Sequence, residues 1–380
     1  MNILILSCNT GEGHNAAARA MEECARERGH EVCLVDMMSL VGKRVSKFVG
    51  GGYIHVAKNA PLLFGTAYQL GRFVSSAKRK SPVYYANALV AKALAAYLEE
   101  HKTDIIITPH LYPAETVTYM KRKGRLLVKT IAVATDYTCI PFWEETECDY
   151  YIVPHEDCVR EFAKRGIPTE KLLPYGIPVS AVFEKRVSKK RTRKKLKLPV
   201  DGNLYLIMSG SMGFGKVKLF SRELAARIEK EDHIVIVCGN NEALRGSLQK
   251  KFEGNEQVRV IGFTKHVADY MSAADVIYTK PGGLSSTEAL MKNLPIVHTA
   301  PIPGCETRNR IFFRRHGIAV SASEILVQIH KGRELVENEQ KRDYMMKKQV
   351  ENMHHNAAGK IIELAEKIVA ETARNEAEEL

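Results

Sequence analysis

Twice along the chain, short runs of β-branched and aliphatic residues alternate with stretches patterned for helices, and one basic, proline-bearing segment, Pro178–Gly202, separates the two series. Parallel strands need a crossover between neighbours, usually a helix, so this alternation specifies parallel α/β sheets. The first series predicts strands at Asn2–Ser7, Glu31–Val35, Asp104–Thr108, Val128–Ala134, Tyr150–Val153 and near Leu172. Its helices fall over about His14–Arg28, Tyr84–Glu100, Ala114–Lys123 and Glu156–Arg165. The second predicts strands at Leu204–Met208, Ile234–Val237, Val258–Ile261, Val276–Tyr278 and Ile296–His298, and the chain reads as helical after Ser323. At roughly 100–200 residues per domain, 380 residues suit two Rossmann-like domains. The expected division is an N-terminal domain over 1–180, a basic linker over 181–202, a C-terminal domain over 203–355 and a last helix over 356–380 that packs on the first domain. Two such domains would face a cleft, with ligands at the carboxyl ends of the strands.

Composition narrows the class. Hydrophobic and charged contents of 45% and 26% are those of a globular protein, not of a disordered or fibrous one. Apolar runs are far shorter than the ~20 residues that span a bilayer. The opening MNILILS reads as a strand, not as a signal peptide, and the eight Cys show no metal-type spacing, so a reduced, cytoplasmic setting is expected.

The net charge of +12 is local. Nine Lys or Arg and no acid lie between Met37 and Leu98, and nine more without an acid between Lys185 and Lys197; the remainder is mildly acidic. Local basicity points to an anionic surface as partner. The first segment interleaves its cations with Phe48, Tyr53, Phe64, Tyr68, Arg72 and Phe73, a composition suited to an interfacial membrane contact, although a solvated helix face would carry similar charges.

Four loops carry chemistry. After the first strand, Gly11-Glu-Gly13-His14-Asn-Ala16 formally matches a dinucleotide fingerprint, with Asp36 at the ribose distance. The turn comes late after the strand, however, and presents His14 at a helix start, where the helix dipole favours the neutral imidazole that a general base requires. Ser209-Gly210-Ser211-Met212-Gly-Phe-Gly-Lys216 nearly spells a P-loop, but Val217 replaces the magnesium-holding hydroxyl; a diphosphate on backbone amides fits it better than an NTPase. In Thr279-Lys-Pro-Gly282-Gly283-Leu-Ser285-Ser286-Thr-Glu288, either serine can cap a helix whose first turn would hold Glu288, placed for ribose hydroxyls. In Pro301-Ile-Pro-Gly-Cys-Glu306-Thr-Arg-Asn309, Glu306 and Asn309 suit the hydroxyls of a sugar. Thr135-Asp136-Tyr137 adds a carboxylate after a strand of the first domain, as a base, an orienter of one, or a loop cap.

In order, these motifs, with Gly176–Val179 and Trp143, resemble the family of monogalactosyldiacylglycerol synthases and processive diacylglycerol glucosyltransferases, itself related to the lipid II-forming N-acetylglucosaminyltransferase. The resemblance spans nearly the whole chain. It implies a GT-B fold, UDP-glucose or UDP-galactose as donor, diacylglycerol or glycosyl-diacylglycerol as acceptor, and inversion without a metal or other cofactor; no Asp-x-Asp occurs. It further implies Glu288 on the uridine ribose, Gly262 and Phe263 beside the uracil, Gly13, Gly210, Ser211, Met212, Lys216, Gly282, Gly283 and Ser285 around the donor, and Glu306 with Asn309 on the sugar. His14 would be the base, with Asp136 its orienter or rival. Cys305 stands where the family usually has Gln, and Ile140 where many members have His. The implied setting is the inner face of the cell membrane, held peripherally on anionic lipid, with no nucleic acid as partner. The alternatives are a UDP-sugar epimerase on the same fold and a non-enzymatic basic protein that binds membranes.

Overall fold

The structure, a computed structural model, describes residues 1–8, 11–42, 80–208 and 216–378. Phe48, Tyr53, Phe64, Tyr68, Arg72 and Phe73, and likewise Gly210, Ser211 and Met212, lie outside the described residues. The chain divides into two compact units. One comprises Met1–Ser180, Pro303–Cys305 and His354–Leu380, the other Ala181–Ile302 and Glu306–Met353.

In the first unit, strands β1 (Asn2–Ser7), β2 (Glu31–Asp36), β3 (Ile105–Thr108), β4 (Lys129–Val133), β5 (Tyr150–Ile152) and β6 (Leu172–Leu173) form one parallel sheet in the order β2-β1-β3-β4-β5-β6. Helices α1 (Glu12–Glu27), α2 (Pro82–Ala88), α3 (Ala91–Glu100), α4 (Leu111–Arg122) and α5 (Glu156–Lys164) connect and cover it. Burial on both faces explains why a strand such as Ile105-Ile106-Ile107 is aliphatic without alternation. Ile106 packs with Leu94, Val117 and Trp143 on one face, while Ile105 and Ile107 join Met21 on the other.

The second unit repeats the plan. Strands β7 (Leu204–Met208), β8 (His233–Val237), β9 (Val258–Ile261), β10 (Val276–Thr279), β11 (Ile296–His298) and β12 (Val320–Ser321) are parallel in the order β12-β11-β10-β7-β8-β9, the doubly wound arrangement. Its helices are α6 (Lys189–Lys195), α7 (Val217–Ala225), α8 (Glu242–Lys251), α9 (Val267–Ala273), α10 (Gly283–Met291), α11 (Cys305–Arg315), α12 (Ile325–Glu337) and α13 (Glu339–Glu351). The last helix, α14 (Ala357–Glu378), belongs to the first unit. There Ile361, Ile362, Ala365 and Ile368 are buried with Ile3, Ile5 and Met21. Burying an aliphatic side chain of this size contributes about 1.5–3 kcal/mol. Arg28 Nη2 and His30 Nε2 clamp the Glu366 carboxylate of α14, both at 2.7 Å.

Three expectations are corrected. The helix read over Tyr84–Glu100 is two helices, because the Asn87 carbonyl accepts from Thr116 Oγ1 (2.9 Å) and Val90 N (3.2 Å), a tight turn that ends α2. The helix read from Ala114 starts at Leu111: Pro113 is tolerated in a first turn, where an amide has no intrahelical partner, and the His110 side chain caps it. Residues 181–202 are no bare linker. From Ala181 they belong to the second unit, and Arg193 of α6 is only 3% exposed, donating to the Ala273, Val200 and Gly202 carbonyls and pairing with Asp275.

Candidate active-site residues of the two units

In a doubly wound sheet, ligands bind beyond the carboxyl ends of the strands where the strand order reverses. In the first unit that point lies between β1 and β3, and His14 follows β1 while Pro109 and His110 follow β3. Ser7 Oγ donates to Asn15 Oδ1 (2.7 Å), tying the end of β1 to α1 and so placing the neighbouring His14. Its Nδ1 stands 2.9 Å from the Pro109 carbonyl oxygen and 2.9 Å from Thr135 Oγ1. A carbonyl can only accept, so Nδ1 carries the proton and Nε2 keeps its lone pair. Among the described residues Nε2 makes no hydrogen bond. Burial lowers the His14 pKa, opposed by the charge of Asp136 and the bond to Pro109. The cause that dominates is desolvation, whereas the sequence suggested the helix dipole. His110 lies edge-on at 4.4 Å, its Nδ1 accepting from Tyr112 N (3.1 Å); burial, aided by His14, holds it well below the usual range. Two neutral imidazoles thus sit side by side, one capping a helix and one with an available lone pair.

In the second unit the order reverses between β7 and β10. The loop after β10 holds Lys280, Pro281 and Gly282, and α10 begins at Gly283 without a side-chain cap. The serines expected to cap do not. Ser286 is fully buried and its Oγ meets His298 Nε2 at 3.0 Å, while burial and Arg310 push that imidazole down to about 3. Glu288 is half-buried in the second turn of α10, one turn later than read, because the helix starts only at Gly283. Glu306 and Asn309 open α11 and are turned into the protein. Glu306 is ion-paired with Lys280 and accepts from Ile302 N (2.8 Å), and Asn309 Nδ2 donates to the Pro281 carbonyl (3.1 Å). Each carboxylate oxygen still has accepting capacity for a hydroxyl.

The remaining expected residues fall around these two points. Gly13 lies in the first turn of α1, and Asp36, set at a ribose distance in the fingerprint, accepts from Met38 N (3.1 Å) as a turn cap. Gly262 and the 60% exposed Phe263 follow β9, and Lys216 is exposed at the entry to α7. Ser285 is half-buried on α10. Sequence reasoning missed the Pro109 carbonyl, His110, Lys280 and His298. A visible signal existed for the side chains, since each is a polar residue just past or at the carboxyl end of an aliphatic strand. One metal-type cluster of described residues lies wholly within the first unit, His155, Glu156 and His354, with ligand atoms within 4.8 Å of one another. His155 Nδ1 accepts from Asp157 N (3.1 Å), which leaves its Nε2 protonated and unfit to ligate.

The matches to known proteins follow the same two-part plan. Residues 14–179 match the family described as monogalactosyldiacylglycerol (MGDG) synthase, and residues 188–352 match glycosyl transferases group 1. A processive diacylglycerol beta-glucosyltransferase of Bacillus licheniformis is 29% identical over 371 residues, 95% of this chain and 93% of that protein. One of Bacillus mycoides is 28% identical over 84% of this chain and 81% of its own. Among solved structures, Acinetobacter baumannii MurG shares the fold with a TM-score of 0.61 at 15% identity, covering 96% of this chain and 99% of its own. The UDP-GlcNAc 2-epimerase of Neisseria meningitidis does so with 0.63 at 15% identity, covering 97% and 100%. Fold and domains together define a glycosyltransferase of the GT-B type, a hexosyltransferase. Within that class the chain is similar to monogalactosyldiacylglycerol synthases over residues 14–179 and to processive diacylglycerol beta-glucosyltransferases over most of its length.

Proposed function

We infer that the protein transfers a hexose, glucose or galactose, from a UDP-sugar to diacylglycerol or a glycosyl-diacylglycerol, with inversion and without a metal, as a peripheral protein at the inner face of the cell membrane. The observation that carries this reading is the sorting of the His14 nitrogens: Nδ1 is committed to the Pro109 carbonyl, and Nε2 is left basic at the switch point of the first sheet. There it takes the proton of the acceptor hydroxyl as that oxygen attacks the anomeric carbon and the bond from that carbon to the UDP oxygen breaks. Such base catalysis is typically worth about 10²–10⁴-fold. Asp136 stabilises the imidazolium that forms.

On the second unit, Glu288 takes the ribose hydroxyls, Phe263 stacks beside the uracil, and Gly210, Ser211 and Met212 with Lys216 meet the diphosphate. Gly282, Gly283 and Ser285 line the start of α10 next to it. Glu306, held by Lys280, meets the sugar, and Asn309, fully buried, fixes the Pro281 turn beside it. Charge growing on the departing UDP is met by backbone amides and the exposed Lys216 ammonium, electrostatic help that does not wait for reorganisation. Phe48, Tyr53, Phe64, Tyr68, Arg72 and Phe73 serve the lipid surface.

The test is product analysis with UDP-glucose and UDP-galactose in parallel, on diacylglycerol in anionic vesicles, with and without EDTA. A β-linked glycolipid and UDP, formed equally with EDTA, are the expected products. Conversion of the sugar nucleotide without lipid would instead identify an epimerase, and vesicle binding with no turnover a non-enzymatic protein.

A further inference from the structure

The Pro109 carbonyl fixes the tautomer of His14, and a second oxygen stands beside the same nitrogen. Thr135 Oγ1 is 2.9 Å from Nδ1, as is the carbonyl oxygen. The three residues come from the carboxyl ends of three adjacent strands: the sheet runs β1-β3-β4, with His14 after β1, Pro109 after β3 and Thr135 after β4.

Both oxygens are held in place by their own loops. Thr108 Oγ1 donates to the His110 carbonyl (3.0 Å) and accepts from His110 N (3.2 Å), which pins the chain around Pro109. Thr135 follows Ala134, whose amide donates to the Ile152 carbonyl (2.8 Å) and so prolongs the pairing of β4 with β5. Just beyond, Tyr137, Thr138 and Cys139 are buried, and Thr138 Oγ1 donates to Glu161 Oε1 of α5 (2.8 Å). Thr135 itself is only 8% exposed, so bulk water competes little for its hydroxyl.

The chemistry follows from one N–H lying between two acceptors. Because Nδ1 keeps its proton for the carbonyl, the hydroxyl oxygen accepts there too. In the neutral ring these are ordinary, shared bonds. Once Nε2 takes a proton, charge spreads over both nitrogens and the bonds from Nδ1–H become charge-assisted, roughly twice as strong. Two oxygens therefore favour the imidazolium over the imidazole, against the burial that disfavours it. Two ionisable groups also act on His14. Asp136 favours the cation through its charge, and His110, neutral by burial, adds none. Thr135 contributes an acceptor that does not titrate and acts alike at every pH.

Resting on the reading of His14 as the base, we propose that Thr135 is a positioning residue of the transfer: its hydroxyl oxygen and the Pro109 carbonyl together cradle the Nδ1–H of His14, fix the ring, and make Nε2 a stronger base. Thr135 acts through the imidazole and touches neither substrate.

Two variants of the full chain, Thr135→Val and Thr135→Ser, test it by two readouts. The first is the titration of His14 followed by NMR of the histidine-labelled protein, its signal assigned by difference from His14→Gln; the second is the pH profile of transfer. Thr135→Val keeps the shape and loses the acceptor. It should lower the His14 titration by about one pH unit, a tenfold loss of proton affinity, and carry the acid limb of kcat/KM down with it. The kcat above that limb should fall about three- to tenfold as the base weakens, with the donor KM unchanged. Thr135→Ser keeps the oxygen and should stay near the wild type in both readouts. A His14 titration unmoved in Thr135→Val overturns the proposal, and so does a loss in Thr135→Ser as large as that in Thr135→Val, which would assign the residue to packing. Full turnover by His14→Ala would remove the base itself, whereas the NMR titration still decides whether Thr135 sets the basicity of the ring.

Discussion

His14 and Pro109 are 95 positions apart in sequence and 2.9 Å apart in space, imidazole Nδ1 to carbonyl oxygen, and this one contact gives the two ring nitrogens different work. Replacing His14 by Ala should cut turnover by about 10²–10⁴-fold and leave the donor KM nearly unchanged. The pH profile carries the finer test. A base works in its neutral form, and burial lowers the His14 pKa, so the acid limb of kcat/KM should fall below the ordinary value of 6.5. A limb at or above it would mean another group is titrating.

Glu288 faces a different demand. If it holds the ribose hydroxyls, Glu288→Ala should raise the donor KM roughly tenfold or more, as expected for hydrogen bonds to a charged group, with kcat far less affected. Initial rates at varied UDP-sugar decide this, and a KM like that of the wild type removes the assignment.

Lys280 and Glu306 form a pair whose carboxylate side is only 7% exposed. Removing one partner leaves a buried charge, a loss of about 3–5 kcal/mol. Lys280→Met should therefore lower the urea midpoint sharply, while Lys280→Met/Glu306→Leu recovers much of it. Equal midpoints for the two variants would show that the pairing is not what matters.

Glu115 gives stability a pH dependence of its own. Buried against Asn87 in the first unit, its carboxyl is raised to about 8, chiefly by desolvation. A folded pKa above the unfolded one means stabilisation that is complete below about 4.5 and lost as pH climbs toward 8. Glu115→Gln should flatten that slope in urea melts between pH 5 and 8.

Glu366 has the opposite sign. Its hydrogen bond to Arg28, with lesser help from His30, lowers it to about 2. The stabilisation is present above about 4.5 and disappears as pH falls toward 2. Hydrogen-exchange protection factors along α14 should fall over that interval in the wild type, and Glu366→Gln should show the reduced protection already at pH 6. Exchange in α14 that is insensitive to both would show that its apolar face alone holds it.

Strands were legible because a sheet buried on both faces must be aliphatic throughout, as Ile105-Ile106-Ile107 is. The glycine loops were legible because their turns follow strand ends. The basic run misled, since a sequence of lysines and arginines reads as solvated, and nothing local reveals that Arg193 will find three carbonyls and Asp275 inside the second unit. Glu306 illustrates the same limit at the site. Its residue type suggested a sugar contact, but its partner Lys280 lies 26 positions away and becomes visible only when β10 and α11 are brought together. Glu288 was placed one turn early because the start of α10 depends on backbone geometry after Pro281, not on the serines that follow.

The sheet of the first unit is completed by a helix that comes last in the chain. As a nascent chain leaves the ribosome, β1 to β6 emerge with one face still lacking Ile361, Ile362, Ala365 and Ile368, and more than 170 residues must be made before these arrive. The second unit holds its whole sheet and α6 to α13 in one stretch of synthesis apart from Pro303–Cys305. The later-made half can therefore finish folding first, and a truncated chain ending before Ala357 would expose an apolar face for chaperones to hold.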